Sequence, residues 1–407
     1  MINRHLEDIA FAESFGRQMR FVAGPRQVGK TTLAKKLLKA KDNNALYFNW
    51  DLREVRDAYK RDAYFFETTL YDTKKGKKKS WVCFDEIHKM PKWKNILKDY
   101  FDKFEDEARL VITGSAKLDL FRRSGDSLAG RYFLFKLLPL SLSEVCKKSI
   151  IKTQAKQAAS EFIDTRLSMV RYYQAELEHL VQFGGFPEPF VKANGRFHRK
   201  WQQDMLDRVV REDLRDLTRI LEVENITTVM QLLPERIGSL LSYNSIKEDM
   251  GVSYTSVRNY ISALELGYII FMVPPFSKNI SRAIKKEKKC YFYDWSRCVD
   301  KAKRFENYIA VELKVMTELW NDQGIADFKL YFIRTKDGKE TDFLITRDNE
   351  PWCLFEVKLK DEAIAAHHYK HAALFKNVPV VQLTYEDKIL KKKEKHFFRV
   401  SASRFFS

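Results

Sequence analysis

Residues Phe21 to Leu33 limit the fold of this chain more than any other stretch. They run from a short apolar strand, through a glycine-bounded loop, into a helix expected to begin at or near Lys30. Gly24, four residues, then Gly29-Lys30-Thr31 is the complete phosphate-loop spacing G-x-x-x-x-G-K-[ST]. Glycines let consecutive backbone N–H groups turn onto phosphate oxygens, and the helix N-terminus adds the positive end of its dipole. Lys30 supplies a point charge for the β- and γ-phosphates, and the Thr31 hydroxyl a ligand for Mg²⁺. Gly24, Pro25, Arg26, Gln27, Val28, Gly29, Lys30, Thr31 and Thr32 are the expected nucleotide contacts. Leu33, Leu37 and Leu38 give the following helix one apolar face, so an α/β unit binding a nucleoside triphosphate is expected.

The acids follow at the right distance. Trp81-Val82-Cys83-Phe84 delivers Asp85 and Glu86 at a strand end, the Walker B pattern. Asp85 is expected to hold Mg²⁺ through water, and Glu86 to polarise the attacking water as general base. A strand at Ala45 to Trp50 lies between the two motifs, which points to the additional-strand group of phosphate-loop ATPases. The next strand, from Ala108, ends in Thr113 and Ser115, both candidates for the polar sensor. Arg131 precedes a fifth strand, Tyr132 to Leu137. It is placed either to reach a neighbour's γ-phosphate as an arginine finger or to form an ion pair within the chain.

At 407 residues the chain has room for two to four domains. Its 73 basic residues against 55 acidic ones leave a net charge of +18, which favours a polyanionic partner. The five cysteines form no C-x-x-C pair, which fits a reducing compartment and no structural zinc. No signal-peptide core and no bilayer-spanning apolar run is found, so a soluble, cytoplasmic protein without a membrane partner is expected.

Gly24 to Thr32, Asp85-Glu86-Ile87-His88-Lys89-Met90-Pro91-Lys92-Trp93, Ile112 to Ser115 and Leu128-Ala129-Gly130-Arg131 together resemble AAA+ ATPases of a large archaeal and bacterial group. The similarity continues through Gly184-Gly185-Phe186-Pro187-Glu188-Pro189 and so covers most of the chain. It implies ATP with Mg²⁺, a homo-oligomer, and a winged helix and a restriction-endonuclease-like domain after the ATPase. The expected division is an AAA+ core over 1–142, a helical lid over 143–233, a winged helix over 234–290 and a PD-(D/E)xK nuclease-like α/β domain over 291–407.

Ile246, Met250, Val252, Val257, Ile261 and Leu264 have the spacing of two helices sharing a core, with Gly251 in the turn between them. Thr255, Ser256, Arg258 and Asn259 would face a DNA groove, with Lys285, Lys286, Lys288 and Lys289 near phosphates. Alternatively, such a winged helix packs on the lid or a neighbouring subunit.

The last hundred residues read as α-β-β-β-α-β, with the second helix at Glu362 to Phe375. Asp342, thirteen residues, then Glu356-x-Lys358 is the spacing of a PD-(D/E)xK centre. Alternation puts Glu356 and Lys358 on one strand face, and the preceding hairpin brings Asp342 alongside. Carboxylates that close raise each other's pKa unless a divalent ion lies between them, and oxygen-only ligation suits Mg²⁺ or Mn²⁺. Lys358 is then placed to stabilise the attacking water or the phosphorane. A helix acid completes the expected metal set, Glu306 from the Phe-Glu-Asn string first and Glu312 as reserve. His367, His368 and His371 on the next helix are expected in solvent or against phosphate. Two functions stand open: an ATP-driven nucleic-acid enzyme that cleaves its substrate, DNA in the first instance, or a nucleotide-gated switch that binds DNA or protein without cutting.

Overall fold

In the computed structural model of the chain, residues 2–73, 76, 78–114, 128–147, 158–168, 170–214, 222–277, 287–394 and 396–407 are described. They form two compact units, one of residues 4–138 with 266–268, the other of 1–3, 139–265 and 269–407.

The first unit is a parallel sheet with helices around it. Its elements are α1 (His5–Ala10), β1 (Met19–Ala23), α2 (Lys30–Ala40), β2 (Tyr47–Asn49), α3 (Arg53–Arg61), α4 (Glu67–Thr73), β3 (Ser80–Asp85), α5 (Trp93–Phe104), β4 (Ala108–Thr113) and β5 (Tyr132–Lys136). The strands run in the order β2-β3-β4-β1-β5, all parallel. β4 therefore lies between the strand leading to the phosphate loop and the strand ending in the acid pair. Every residue of β1 and β3 is buried, as their unbroken apolar runs require of strands covered on both faces. Phe84 is packed edge-on by Trp50 at 5.6 Å and Phe66 at 5.3 Å, with Tyr100 at 5.2 Å, so the strand delivering Asp85 and Glu86 is held by aromatic rings. β2 is shorter than the sequence pattern suggests, because only Tyr47 to Asn49 pair with β3.

Among the described residues the second unit opens with α6 (Leu142–Val145), α7 (Ala159–Ser168), α8 (Gln174–Phe183), α9 (Pro187–Lys192), α10 (Gly195–Arg208), which runs on into a π-helical stretch (Val209–Leu214), and α11 (Val223–Leu232). α12 (Tyr243–Met250) ends at Gly251, whose φ of 66° is the left-handed conformation that closes a helix cheaply only for glycine. α13 (Tyr254–Leu266) follows, and Ile246 of α12 is buried with Val257, Ile261 and Leu264 of α13. β6 (Ile270–Val273) and β7 (Lys289–Phe292) form an antiparallel hairpin beyond them. Thr255, Arg258 and Asn259 are exposed, while Ser256 is half-buried. Lys285 and Lys286 lie outside the described residues.

A 22-residue helix, α14 (Lys301–Asp322), leads into the last sheet. Asp300 caps it by accepting from the Lys303 N–H at 2.8 Å. β8 (Phe328–Arg334), β9 (Glu340–Arg347) and β10 (Glu350–Lys358) form an antiparallel meander, α15 (Ala366–Leu374) crosses over, and β11 (Val380–Thr384) joins β10 in parallel. The expected α-β-β-β-α-β order is therefore present, with the second helix starting at Ala366 rather than Glu362. The chain then adds β12 (Leu390–Glu394), β13 (Phe397–Ser401) and α16 (Ala402–Phe405), giving a six-stranded sheet in the order β12-β13-β11-β10-β9-β8. After β6, the Phe332 N–H of β8 donates to Pro274 at 3.1 Å and the Phe276 N–H to Phe332 at 2.8 Å. The β6–β7 hairpin is thereby tied to the edge of this sheet.

Candidate functional site

The phosphate loop is fixed from both sides. Gly24 lies so close to the end of β5 that a Cβ there would stand 2.1 Å from the Leu137 carbonyl oxygen, so no side chain fits. Gly29, at φ 105°, is the N-cap of α2. Arg4, which carried no sequence signal, donates to the Val28 carbonyl at 3.0 Å. Lys30 is buried, and its ammonium donates to the carbonyls of Gly24 at 3.0 Å and Pro25 at 2.7 Å. That amine is held at the mouth of the loop by weak neutral acceptors, which an anionic phosphate outcompetes.

Asp85, at the end of β3, collects three hydroxyls. Thr31 donates to one carboxylate oxygen at 2.7 Å and Tyr47 to the same oxygen at 2.6 Å, and Thr113 donates to the other. A serine or threonine hydroxyl beside an aspartate, oxygen donors only, suits Mg²⁺. Tyr47 is a contact that sequence reasoning missed: nothing in its local pattern shows that β2 would pair with β3 in this register. Of the two sensor candidates Thr113 touches Asp85, and Ser115 lies outside the described residues. Glu86 stands at φ 58°, a left-handed conformation uncommon for glutamate, with its N–H donating to Thr113 at 2.9 Å. Its carboxylate lies 3.3 Å from His88 Nε2 and 3.7 Å from Lys89 Nζ. Burial pushes it up to about 7 against the pull of Lys30 and Lys89, the range in which a general base works best at neutral pH. Arg131 makes a two-pronged pair with Asp102 of α5, at 2.9 and 3.2 Å. Of its two readings, the ion pair within the chain is the arrangement present.

The second constellation sits where α14, β7, β9 and β10 meet. The Phe-Glu-Asn string works as a clamp. Phe305 is buried, and Asn307 both accepts from the Phe292 N–H at 2.9 Å and donates to its carbonyl at 2.7 Å, docking α14 on β7. That docking sets Glu306 against two β7 side chains, with Tyr291 donating to it at 2.7 Å and Lys289 Nζ at 3.4 Å. Gly238 makes room, since a Cβ there would lie 2.9 Å from the Glu306 carboxylate. Lys289 is 2% exposed, and its ammonium also lies 2.5 Å from Glu340 and 3.7 Å from Asp342. Burial alone would lower its pKa, but Glu306, Asp342 and Glu340 outweigh burial and hold it raised. Lys289 is therefore no surface phosphate contact, as its place in a basic stretch suggested; it is the internal partner of three carboxylates.

Asp342 and Glu356 face each other across β9 and β10, whose register pairs Phe343 with Phe355. Asp342 accepts the Val357 N–H at 2.9 Å. Lys358 Nζ lies 3.0 Å from one Glu356 oxygen, while the other oxygen is buried without a hydrogen-bond partner among the described residues. Burial first, then Asp342, raises the Glu356 carboxyl, and the same two causes raise Glu306. Asp342, Glu356 and Lys358 thus come together as their spacing predicts. Glu306 adjoins them through Lys289, and among the described residues no three His, Cys, Asp or Glu side chains gather around one metal position.

Glu312, the reserve acid, is elsewhere. It is buried and accepts from the Leu142 N–H at 2.7 Å and the Tyr308 hydroxyl at 2.8 Å. His368 and His371 are not in solvent as expected. Both are 1% exposed, each with Nδ1 2.8 Å from the Thr341 hydroxyl, because α15 packs this face onto β9. Burial, then the neighbouring histidines, lowers His368 to about 3, so it is neutral beside Glu356.

Among the described residues no helix is long and apolar enough to cross a membrane. Three family matches divide the chain. Residues 16–146 match an AAA domain, 174–303 a domain of unknown function (DUF8612), and 301–402 a second domain of unknown function (DUF4143). Similar proteins include an uncharacterised protein of Mycobacterium tuberculosis, 23% identical over 347 residues that cover 83% of this chain and 69% of that protein. Another, from Methanocaldococcus jannaschii, is 23% identical over 373 residues, 86% of this chain and 76% of the relative. Among solved structures, that of C. elegans PCH-2 covers 64% of this chain and 65% of its own at 12% identity, with a TM-score of 0.23, too slight a likeness to bear on the fold. The match at residues 16–146, the β2-β3-β4-β1-β5 sheet and the Lys30, Thr31 and Asp85 geometry agree, and the chain carries an AAA-type, nucleotide-binding ATPase domain, a kind of domain that implies ATP and usually Mg²⁺.

Proposed function

We propose that this protein is an ATP-driven nucleic-acid enzyme, in which the AAA domain is coupled to metal-dependent phosphodiester cleavage at the Asp342–Glu356–Lys358 centre. In the ATPase domain, Lys30 is placed for the β- and γ-phosphates, Thr31 and Asp85 would hold Mg²⁺, Thr113 orients Asp85, and Glu86 takes a proton from the attacking water. Arg131 can serve a neighbouring copy only by leaving Asp102.

One observation carries the cleavage reading: a Glu356 oxygen, 3.6 Å from His368 Nε2, is buried with no hydrogen-bond partner among the described residues, and Asp342 lies across the β9–β10 pair from Glu356. Such an atom is costly in a fold unless a cation completes it. Asp342 and Glu356 would hold a divalent ion there, Mg²⁺ or Mn²⁺, which when bound makes a better nucleophile of water and offsets phosphorane charge. Lys358 adds a donor for that charge. The exposed Thr255, Arg258 and Asn259 of α13, on a helix pair followed by a β-hairpin, would meet DNA as in a winged helix.

The binding-only alternative rests on Lys289, which already neutralises part of the carboxylate cluster. The discriminating experiment incubates the protein with plasmid, single-stranded and branched DNA and Mn²⁺, with and without ATP. Cleavage that is lost in Asp342→Ala together with Mn²⁺ affinity, and reduced by about 10²-fold in Lys358→Ala with Mn²⁺ affinity kept, supports the enzyme. Cleavage untouched by Asp342→Ala, or absent throughout while DNA still binds, gives the site to the switch.

A further inference from the structure

We infer that Tyr47 is a positioning residue of the ATPase site: its hydroxyl holds the Asp85 oxygen that it shares with Thr31, and gives that oxygen up when Mg²⁺ arrives with a nucleotide. The inference rests on the nucleotide site of the AAA domain and is independent of the cleavage reading. A carboxylate offers about two acceptor directions on each oxygen. On one Asp85 oxygen both are taken, by Thr31 at 2.7 Å and by Tyr47 at 2.6 Å, while Thr113 donates to the other oxygen.

These donors differ in their freedom to move. Thr113 is 1% exposed and lies on β4, inside the sheet and directly opposite Asp85 in the β3–β4 register. Thr31 sits in the first turn of α2, and its hydroxyl can keep its proton on Asp85 while a lone pair serves the metal. Tyr47 is placed otherwise. It is half-buried on β2, a three-residue strand at the edge of the sheet. Its register partner is Cys83, which puts its ring on the face of β3 that carries Asp85 two residues further on. Tyr47 therefore holds the one acceptor direction that an oxygen serving the same metal as Thr31 has to surrender. Surrendering it breaks a hydrogen bond to a charged acceptor, so Tyr47 weakens the grip on a Mg²⁺-nucleotide and, by returning to Asp85, speeds release of Mg²⁺-ADP. Nucleotide without metal leaves the Tyr47 bond as it is.

The test measures ADP affinity of the full chain by calorimetry, once with Mg²⁺ and once with EDTA, and takes the ratio of the two within each variant, which cancels any general loss of stability. Tyr47→Phe removes the hydroxyl and keeps the ring, which rests 4.6 Å from the Lys35 ammonium of α2. It should tighten the Mg²⁺ arm about tenfold, leave the EDTA arm unchanged, and slow the dissociation of Mg²⁺-ADP by a similar factor. Thr113→Val removes a donor that stays in place, so its ratio should not rise. An unchanged or lower ratio in Tyr47→Phe overturns the inference, because Tyr47 is then a fixed support of Asp85 or of β2. An equal rise in Thr113→Val overturns the particular role of Tyr47. Wild type that binds ADP equally with Mg²⁺ and with EDTA overturns the inference together with the Mg²⁺ role of Thr31 and Asp85. No ADP binding in either arm overturns the nucleotide site itself.

Discussion

At the scale of single residues, the two acids of the Walker pair do different work because their surroundings differ. Asp85 receives three hydroxyl donors, all suited to an ionised carboxylate. Glu86, one residue on, turns out of the strand at φ 58° into a buried position that lifts its carboxyl to about 7. A base must be ionised to accept a proton, so a raised pKa costs activity on the acid side. The kcat/KM for ATP should therefore climb about tenfold per pH unit below 7 and level off above it. Glu86→Gln should bind ATP and lose hydrolysis by about 10²-fold or more, with no remaining titration near 7. A profile that stays flat from pH 5.5 to 8.5 would remove Glu86 from the role of base. The pair itself was legible in the sequence, since an apolar run ending in Asp-Glu needs only local spacing. Tyr47, on the same aspartate, was not, because its place depends on pairing between strands 38 residues apart.

Among the elements, α14 shows how one helix can carry two acids with unlike duties. Glu306 and Glu312 are six residues apart, so they point from the helix in directions roughly 120° apart. Glu306 turns to Lys289 and Tyr291, while Glu312 turns inward to take the Leu142 N–H and the Tyr308 hydroxyl. Burial lifts the Glu312 carboxyl to about 8, so it stays protonated at neutral pH in the folded chain and is ionised in the unfolded one. The folded state then binds the extra proton, and stability falls as pH rises from about 4.5 to about 8, by at most about 1.4 kcal/mol per unit for this one group. Glu312→Gln should lose that slope: its denaturation midpoint should approach or pass wild type at pH 8 while gaining little at pH 5. A deficit that is the same at both pH values would mean that Glu312 is ionised in the folded chain, the form that the nearby charge of Arg166 favours. The sequence showed the helix, the meander and the Asp342–Glu356–Lys358 spacing, all of which are local. It ranked Glu306 over Glu312 on a motif, and the physical basis of that motif, Asn307 clamping β7, became visible only in the packed structure. Lys289 was misjudged for the same reason. Within a run of lysines it looks like solvated surface, yet strand pairing turns it inward.

For the molecule as a whole, the question is what an excess of 18 positive charges is for. Many described cations are already engaged within the chain: Arg131 with Asp102, Lys289 with its carboxylates, Lys358 with Glu356. Arg258 on the exposed face of α13 has no ion pair among the described residues and stands beside Thr255 and Asn259. If α13 enters a DNA groove, Arg258 is a phosphate or base contact, and its counterions are released on binding. Duplex affinity should then fall linearly on a log–log plot against salt, with a slope of about −0.9 for each phosphate neutralised. Arg258→Ala should weaken binding and, if the contact is to phosphate, flatten that slope by about one such unit. Lys358→Ala, a change at the proposed cleavage centre, should leave the slope nearly as it is and lower cleavage instead. On the proposed function, the two variants would therefore separate a surface that binds nucleic acid from a centre that cleaves it. A slope that ignores Arg258, with affinity still steeply salt-dependent, would move the docking face away from α13. A flat response at every salt concentration would assign the basic surface to a partner other than nucleic acid, and with it the carboxylate centre to a role other than cleavage.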